Sequence, residues 1–321
     1  MNNKSEILIL GGNGLVGSSF SYGYKATKND ADLTKLDDVL RLIENKKPKW
    51  IINCAGYVGG VQANMIYKWE FFKKNILINM NVIEASMQLG VPNVISFLST
   101  CIFPDNLTVI KDLEETDLHL GEPHDSNYPY AYSKRMIDVM SRIAREKGFN
   151  YSSIIPCNIY GLNDNYHLIN SHIVPALIHK FYLAYQKSIS ENKPQSVEIW
   201  GSGNPLREFI YANDIPILIN QIINKNINFD NLILSPDNAI SIKELAQTIN
   251  NIFALKYLHT SADVSIYFNT DKPDGQYKKS TNNSKLKELI DFKFTPLKEG
   301  LIQSIDYFTD KYENDRNNLK L

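Results

Sequence analysis

The feature that most constrains the fold is an apolar strand that runs directly into a glycine-rich turn. Residues 6–10 read EILIL, and GGNGLVGSSF follows at once, with Gly11, Gly14 and Gly17 at intervals of three. Glycine permits a tight turn and a close backbone approach to a pyrophosphate, and the first amides of the following helix favour an anion. The pattern predicts a nucleotide-binding strand, turn and helix, although a plain glycine-rich turn would look the same.

Further along the first half, apolar segments typical of buried strands alternate with segments of helical periodicity. Strands are predicted at 49–56, 93–100 and 151–161, and helices at 70–89 and from Tyr130 onward. This alternation predicts an α/β fold with a doubly wound parallel (Rossmann) sheet, in which ligands bind beyond the carboxyl ends of the strands. The residues that mark those ends, and that we expect to line one crevice, are Gly11, Ala55, Ser99 and Pro156.

The pattern changes after residue 160, where loops rich in Asn, Asp, Pro and Gly alternate with short helices and strands. We therefore predict two domains. Residues 1–160 form the dinucleotide-binding domain, and the chain returns to the sheet of this domain near residues 207–235. Residues 161–321 form a smaller mixed α/β domain that mainly contacts substrate. The polar tail beyond Lys311 is expected to be frayed.

Composition excludes several classes of protein. Of 321 residues, 43% are hydrophobic and 21% charged, and the net charge of -1 offers no basic excess for nucleic acid. No stretch approaches the ~20 apolar residues of a membrane helix, and the N-terminal apolar run is too short for a signal peptide. The three cysteines are odd in number and far apart, which argues against a disulfide framework or metal site. We expect a cytoplasmic protein.

The segment YPYAYSK places Tyr130 and Lys134 four residues apart at the start of a helical pattern. That spacing puts a phenol and an ammonium on one helix face, where the cation favours the anionic phenol. The pair is a candidate proton donor for a carbonyl that is reduced to an alcohol. Ser99, at a strand end, is a candidate to orient that carbonyl or the phenol. Taken singly, each residue could equally be structural: Ser99 a buried serine, Lys134 a surface lysine.

The residues that follow the second strand determine which dinucleotide fits. A carboxylate there favours the ribose hydroxyl of NAD, and a cation favours the 2′-phosphate of NADP. Lys25 and Lys28 lie near this strand end, with Asp30 and Asp32 just beyond. We predict NADP, with Lys28 on the phosphate and Asp32 towards the adenine; both lysines could instead be solvated surface charges. Thr34 and Asp37 resemble a capping arrangement for the next helix.

Together these motifs resemble the extended short-chain dehydrogenases/reductases and, more narrowly, the GDP-L-fucose synthase family. The glycine turn, Ser99, Tyr130 and Lys134 carry the broad resemblance. Seven blocks from about residue 7 to 310 carry the narrow one, namely NCAGYVGGVQAN, LSTCIFPD, YPYAYSKRMIDV, PCNIYG, NSHIVPALIHK, WGSGNPLREFIY and KPDGQYKK.

The resemblance implies an NADPH-dependent enzyme that reduces carbon 4 of a GDP-linked 4-keto-6-deoxy sugar after epimerising carbons 3 and 5. Ser99, Tyr130 and Lys134 match the reductase residues, and Cys101 and His172 match the acid/base pair for epimerisation. A 4-keto group acidifies the protons on both neighbouring carbons, and a thiol and an imidazole have pKa values near enough to neutral to exchange them. Cys101 could instead be a small buried hydrophobe, and His172 a polar anchor of its loop.

The resemblance also implies which residues bind each ligand. The substrate residues are Asn158, Lys180, Trp200, Arg207, Asp274 and Lys279, with Arg207 the strongest phosphate candidate unless it pairs with Glu208 or Asp214. The cofactor residues are Gly11, Asn13, Gly14, Leu15, Val16, Gly17, Lys28, Asp32, Leu33, Ala55, Gly56, Tyr130, Lys134, Pro156, Asn158, Ile159 and His172.

The chain departs from the family pattern at both ligands. The family often has an arginine at the cofactor's 2′-phosphate, where Lys28 stands, and a Pro-His pair after PCNIYG, where this chain has Leu162 and Asn163. The second change lies near the loop that carries His172 and leaves the sugar open. A 4-reductase that acts on a GDP-linked deoxy-heptose without epimerising it is one alternative. A non-catalytic NADP-binding regulatory module is the other. The resemblance further implies a homodimer formed through helices 70–89 and 131–147.

Overall fold

The computed structural model describes residues 6–107, 110–272 and 274–321. Thirteen strands are described: β1 Ile7–Leu10, β2 Tyr24–Ala26, β3 Trp50–Asn53, β4 Asn93–Phe97, β5 Asn150–Pro156, β6 Asn158–Tyr160, β7 Gln195–Trp200, β8 Leu206–Arg207, β9 Phe209–Tyr211, β10 Asn231–Leu234, β11 Ile240–Ser241, β12 Val264–Asn269 and β13 Lys278–Lys279. The α-helices described are α1 Leu15–Ser19, α2 Leu36–Lys46, α3 Val61–Ile66, α4 Lys68–Gln88, α5 Tyr128–Glu146, α6 Ile173–Glu191, α7 Asp214–Lys225, α8 Ile242–Lys256, α9 Ser284–Leu289 and α10 Leu297–Asn314.

Six parallel strands form the central sheet in the order β10-β5-β4-β3-β1-β2. The doubly wound α/β class predicted from the sequence is therefore confirmed. The strand order reverses between β1 and β3, and in such sheets the ligand crevice opens at that reversal, beyond the carboxyl ends. The glycine turn after β1 and the residues after β3 consequently face the same crevice.

Apolar residues on both faces of the sheet explain why its strands are continuous hydrophobic runs. Leu8 and Leu10 pack into one buried cluster, and Ile7 and Ile9 pack into another on the opposite face. Successive residues of a strand point to opposite faces, so a strand covered on both sides must be apolar throughout.

The second half of the chain builds a separate hydrophobic cluster from α6, α8 and α10. Two tyrosines from the short β6–β9 pair fasten α10: Tyr160 donates to the Leu297 carbonyl at 3.2 Å, and Tyr211 donates to Gln303 at 2.9 Å. Of the 207–235 segment, β10 joins the main sheet, whereas β9 pairs with β6 outside it. None of the helices described in this chain is long and apolar enough to cross a membrane.

Two local expectations were wrong. Thr34 does not cap α2: its hydroxyl donates to Asp32 at 2.7 Å, and the helix begins after Lys35 without a side-chain cap. The tail beyond Lys311 is not frayed, because α10 continues to Asn314 and the Leu319 side chain is buried against the second cluster.

Asp164 is a buried carboxyl with an incomplete set of hydrogen bonds. Its Oδ1 accepts from the Asn165 amide at 2.7 Å, and its Oδ2 has no hydrogen-bond partner among the described residues. Burial raises the pKa of Asp164 to about 7, against the smaller opposing effects of the Asn165 amide and Lys320.

The raised pKa predicts a stability effect whose sign depends on pH. Between the unfolded pKa of about 3.9 and the folded value, the folded protein keeps a proton that the unfolded chain has lost, so stability falls as the pH rises. The advantage of Asp164→Asn over the parent should grow by roughly 2 kcal/mol between pH 5 and pH 8. Urea unfolding measures it, with exposed Asp291→Asn as the control; a constant difference would contradict the prediction.

Candidate active site

The glycine turn sits against the loop after β3, as the strand order requires. Gly11 has φ +82°, and a Cβ there would lie 3.0 Å from the Ala55 Cα. A Cβ on Gly17 would lie 2.2 Å from the Gly11 carbonyl oxygen, a distance that no side chain tolerates. The turn and Ala55 are therefore in backbone contact, and their shared edge can accept a pyrophosphate.

Lys28 lies in a cavity of about 480 Å³ between the β2 exit and α2, together with Asp30, Asp32 and Arg41. The neighbouring carboxylates are already engaged: Asp30 accepts from Tyr24 at 2.6 Å and from Thr27, and Asp32 accepts from Thr34. The described part of the chain gives Lys28 no ion pair. This cation suits a 2′-phosphate, and its strongest acidic neighbour, Asp32, is already hydrogen-bonded to Thr34 and feels the charge of Lys28 only weakly.

Lys134 projects from α5 to the carboxyl end of β4. Its buried Nζ donates to the Phe97 carbonyl at 2.9 Å, and a Cβ on Gly56 would approach it to 3.4 Å. Burial lowers the pKa of Lys134 to about 8. The loop after β3 thus passes directly over the ammonium, and Ala55 and Gly56 share a wall of the crevice with it.

Tyr130 lies near Ser99 and Cys101, but Lys134 does not lower its pKa as the spacing suggested. Burial raises the pKa of the Tyr130 phenol above its usual value, negative charge on Cys101 raises it further, and a hydrogen bond with Ser99 opposes both. The Lys134 Nζ lies 6.0 Å from the centre of the Tyr130 ring. The neutral phenol, the form that can donate a proton, is therefore the stable form in this structure.

Cys101 lies in a 3-10 turn that Ser99 caps, with the Ser99 hydroxyl accepting from the Cys101 amide at 3.3 Å. The Lys279 Nζ reaches the Cys101 sulfur at 3.4 Å. Burial raises the pKa of the Cys101 thiol, but Lys279, Ser99 and Arg207 together outweigh it and leave the pKa below its ordinary value. Of the proposed site residues, Cys101 is thus the one best suited to act as a base.

Arg207 and Lys279 occupy paired positions on the parallel strands β8 and β13. The ion pair that we considered for Arg207 is absent: Glu208 accepts from Ser235 and Thr281, and Asp214 accepts from Thr295. No ion pair involves Arg207 or Lys279 within the described residues, so two adjacent cations lie next to the thiol.

His172 lies at the N-cap of α6, where its side chain is open to the cleft. The surrounding protein lowers the pKa of His172 by desolvation, and the charge on Lys279 lowers it further. Its loop packs on the loop after β3, since Gly60 donates to the Asn170 carbonyl at 3.1 Å and a Cβ on Gly60 would lie 2.7 Å from the Ser171 oxygen. The structure therefore brings Ser99, Cys101, Tyr130, His172, Arg207 and Lys279 to one cleft.

The remaining substrate candidates are Asn158 on β6 and three residues of the second half of the chain, Lys180, Trp200 and Asp274. Trp200 is 44% exposed, and the Lys180 Nζ donates to the Glu198 carbonyl at 3.2 Å. Asn158 donates to the Glu208 carbonyl at 2.8 Å. Both Asp274 oxygens accept from Ser202, so Asp274 braces the turn after Trp200. Its neighbour Pro273 lies outside the described residues.

Sequence reasoning missed a series of buried asparagines that positions the loop after β3. Asn75 accepts from the Tyr57 amide and donates to the Tyr57 carbonyl, both at 2.9 Å. Asn79, one turn later on α4, accepts from Asn53 at 3.0 Å. The four-residue spacing of Asn75 and Asn79 on an otherwise apolar face was the available signal.

The contact between Lys279 and Cys101 predicts a shift in thiol reactivity. In Lys279→Gln the thiolate loses the cation that contacts it, so the Cys101 pKa should rise. The pH dependence of iodoacetamide alkylation, followed by mass spectrometry of the Cys101 peptide, measures this pKa. Half-buried Cys54 and buried Cys157, whose pKa values are raised, are slow internal references.

Lys272→Gln provides the matched control, because Lys272 lies over the Trp200 ring rather than beside the thiol. An unchanged alkylation profile in Lys279→Gln would show that this lysine does not stabilise the thiolate.

Comparison with known proteins places this site in a family. The model of the NAD dependent epimerase/dehydratase family matches residues 7–230. The chain is 40% identical to a GDP-L-fucose synthase of Dictyostelium discoideum over 98% of both chains, and 35% identical to a probable GDP-L-fucose synthase of Drosophila melanogaster over 97% of this chain and 99% of that one.

A solved structure agrees with these relatives. The crystal structure of a GDP-L-fucose synthetase from Naegleria fowleri bound to NADP superposes with a TM-score of 0.84 at 32% identity, covering 97% of this chain and 94% of that one.

Proposed function

Given that the chain belongs to the GDP-L-fucose synthase family of NAD dependent epimerases/dehydratases, we propose that it is an NADPH-dependent enzyme acting on a GDP-linked 4-keto-6-deoxy sugar. It epimerises carbons 3 and 5 and reduces carbon 4. The observation that carries the proposal is the grouping of Tyr130, Ser99 and a cation-stabilised Cys101 at the sheet edge that also holds the glycine turn.

The residues present fit the cofactor. Gly11 and Gly17 allow the tight turn after β1, because a Cβ at either position would collide with neighbouring backbone, and Lys28 is free of ion pairs among the described residues. When bound, NADPH supplies the hydride that reduces carbon 4. The cofactor side of the crevice is proposed to comprise residues 11 and 13–17, Lys28 with Asp32 and Leu33, and residues 55–56, Pro156, Asn158 and Ile159.

Tyr130 is the proposed proton donor for the oxygen on carbon 4. The high pKa of the buried phenol keeps its proton in place until the oxygen becomes strongly basic. Ser99, which hydrogen-bonds the phenol, orients the carbonyl. Lys134, whose position the Phe97 carbonyl fixes, would hold the cofactor's ribose with its positive charge.

Cys101 and His172 are the proposed pair for epimerisation. Lys279 favours the thiolate and disfavours imidazolium, so Cys101 removes the proton from carbon and His172 must acquire one before it donates to the opposite face. A diphosphate bound by Arg207 and Lys279 would supply the negative charge that favours protonated His172. The same two cations, with Lys180 and Trp200, then hold the GDP portion.

The two half-reactions can be separated in heavy water. Tyr130→Phe should slow reduction about 10²–10⁴-fold, because the proposed proton donor is lost, while solvent deuterium still enters carbons 3 and 5. In Cys101→Ser the opposite is expected: deuterium exchange at carbons 3 and 5 should be lost, while the reduction step itself is retained. NADPH oxidation and mass spectrometry of the product measure the two steps, using a panel of GDP-linked 4-keto hexoses and heptoses.

Other outcomes of the same experiment would contradict the proposed activity or the proposed residue roles. Normal reduction by Tyr130→Phe would remove the phenol from the mechanism. Reduction without deuterium at carbons 3 and 5 in the parent protein would leave a 4-reductase only. A failure to oxidise NADPH with every sugar would favour the regulatory module.

We further propose that two copies associate through α4 and α5. The two helices pack against each other and present exposed apolar side chains, which include Trp69, Met80, Val139 and Ile143. Exposed apolar side chains on two neighbouring helices favour an interface between copies. The cytoplasm is the proposed location, since a reducing compartment keeps the reactive Cys101 thiol free.

The proposed interface predicts that charged substitutions in it lower the molecular mass of the protein in solution. Val139→Lys combined with Ile143→Lys would desolvate two charges at the interface, so the dimer should dissociate to monomers in sedimentation equilibrium. Leu255→Lys, which charges a more exposed leucine on α8, should leave the mass unchanged. A double variant that remains dimeric, or a parent that is monomeric, would contradict this interface.

A further inference from the structure

Lys320 connects the glycine turn to the second half of the chain. Its Nζ donates to the carbonyl of Asn13 at 2.8 Å and to the carbonyl of Asn163 at 2.7 Å. Asn13 lies within the turn, and Asn163 begins the segment that leads to His172. One ammonium therefore bridges both sides of the proposed active site.

The lysine is held in place by its own backbone. The Tyr166 amide donates to the Lys320 carbonyl at 2.7 Å, and Lys320 pairs with Asn165 in an isolated parallel bridge. The preceding Leu319 is buried among the side chains of the second hydrophobic cluster. The backbone of Lys320 is thus fixed at the point from which its side chain extends to the turn.

The Asn13 carbonyl belongs to the peptide unit at the tip of the turn. The other end of that unit is the Gly14 N–H, which donates to the Gly11 carbonyl at 2.8 Å. Lys320 therefore completes a pair of hydrogen bonds that fixes both ends of one peptide plane. Without it, the bond inside the turn would be the one contact from the described residues that holds this plane.

Charge adds to this geometric effect. Lys320 forms no ion pair among the residues that the structure describes, and the nearby Asp164 carboxyl has a pKa of about 7. An incompletely neutralised cation beside the turn attracts a dianionic pyrophosphate whichever nicotinamide dinucleotide carries it.

We propose that Lys320 is a positioning residue of the dinucleotide site, which holds the glycine turn in its binding conformation and adds positive charge beside it. The proposal rests on the placement of the cofactor at this turn. It assigns a role in cofactor binding to a segment more than 300 residues away in sequence.

The test measures binding of NADPH and NADH by fluorescence titration, without sugar. Lys320→Met should weaken both dinucleotides about tenfold and equally, because the pyrophosphate is common to both. Lys320→Arg keeps a donor and a charge and should stay within about threefold of the parent. Lys298→Met, on the exposed start of α10, is the control and should bind as the parent does. Lys28→Met should weaken NADPH only.

Hydrogen exchange of the ligand-free protein gives a second readout. In Lys320→Met the peptide that covers residues 11–17 should exchange faster, while the strands of the central sheet keep their protection. Parent-like affinity in Lys320→Met would overturn the proposal, as would a loss confined to NADPH or a loss that Lys320→Arg shares in full. A parent that binds neither dinucleotide would instead contradict the proposed function.

Discussion

The backbone contact between Gly11 and Ala55 is the constraint on which the rest of the site depends. It exists because β1 and β3 are neighbours at the point where the strand order reverses, so the turns that leave them meet edge to edge. A side chain at Gly11 or Gly17 would push these turns apart. With them in contact, Gly56 lies over Lys134, and α5 presents Tyr130 to the same edge.

Charge then divides the crevice into two regions with different chemistry. Around Tyr130, burial favours neutral groups, which suits a phenol that must keep its proton until an alkoxide forms. Around Cys101, Lys279 and Arg207 favour an anion, which suits a thiolate that removes a proton from carbon. The Ser99 hydroxyl lies between the two regions and hydrogen-bonds towards both sides.

Sequence reasoning succeeded where one local pattern determines one element. The strands of the main sheet are buried on both faces, so each is a continuous apolar run, and the glycine spacing marks the turn between β1 and α1. It failed where a polar side chain had two possible partners, as when Thr34 bonded Asp32 instead of capping α2. It also failed for the tail, whose polar composition gave no hint that Leu319 would be buried.

The contacts that shape the chemistry were hardest to predict, because they join distant segments through very short elements. Lys279 lies on a two-residue strand and Cys101 in a three-residue turn. Neither element is long enough to show a hydrophobic periodicity in the sequence. The resemblance to a family supplied both residues but assigned Lys279 to substrate alone. Its contact with sulfur at 3.4 Å emerged only from the three-dimensional arrangement.

The cationic surroundings of Cys101 also determine when the protein is chemically vulnerable. Peroxides attack thiolates much faster than thiols, and an accessible sulfur with a depressed pKa is the usual target. A nucleotide sugar bound in the cleft as proposed would shield the sulfur and share the two cations. The resting protein should therefore be the form that oxidants inactivate, and abundant substrate should act as its protectant.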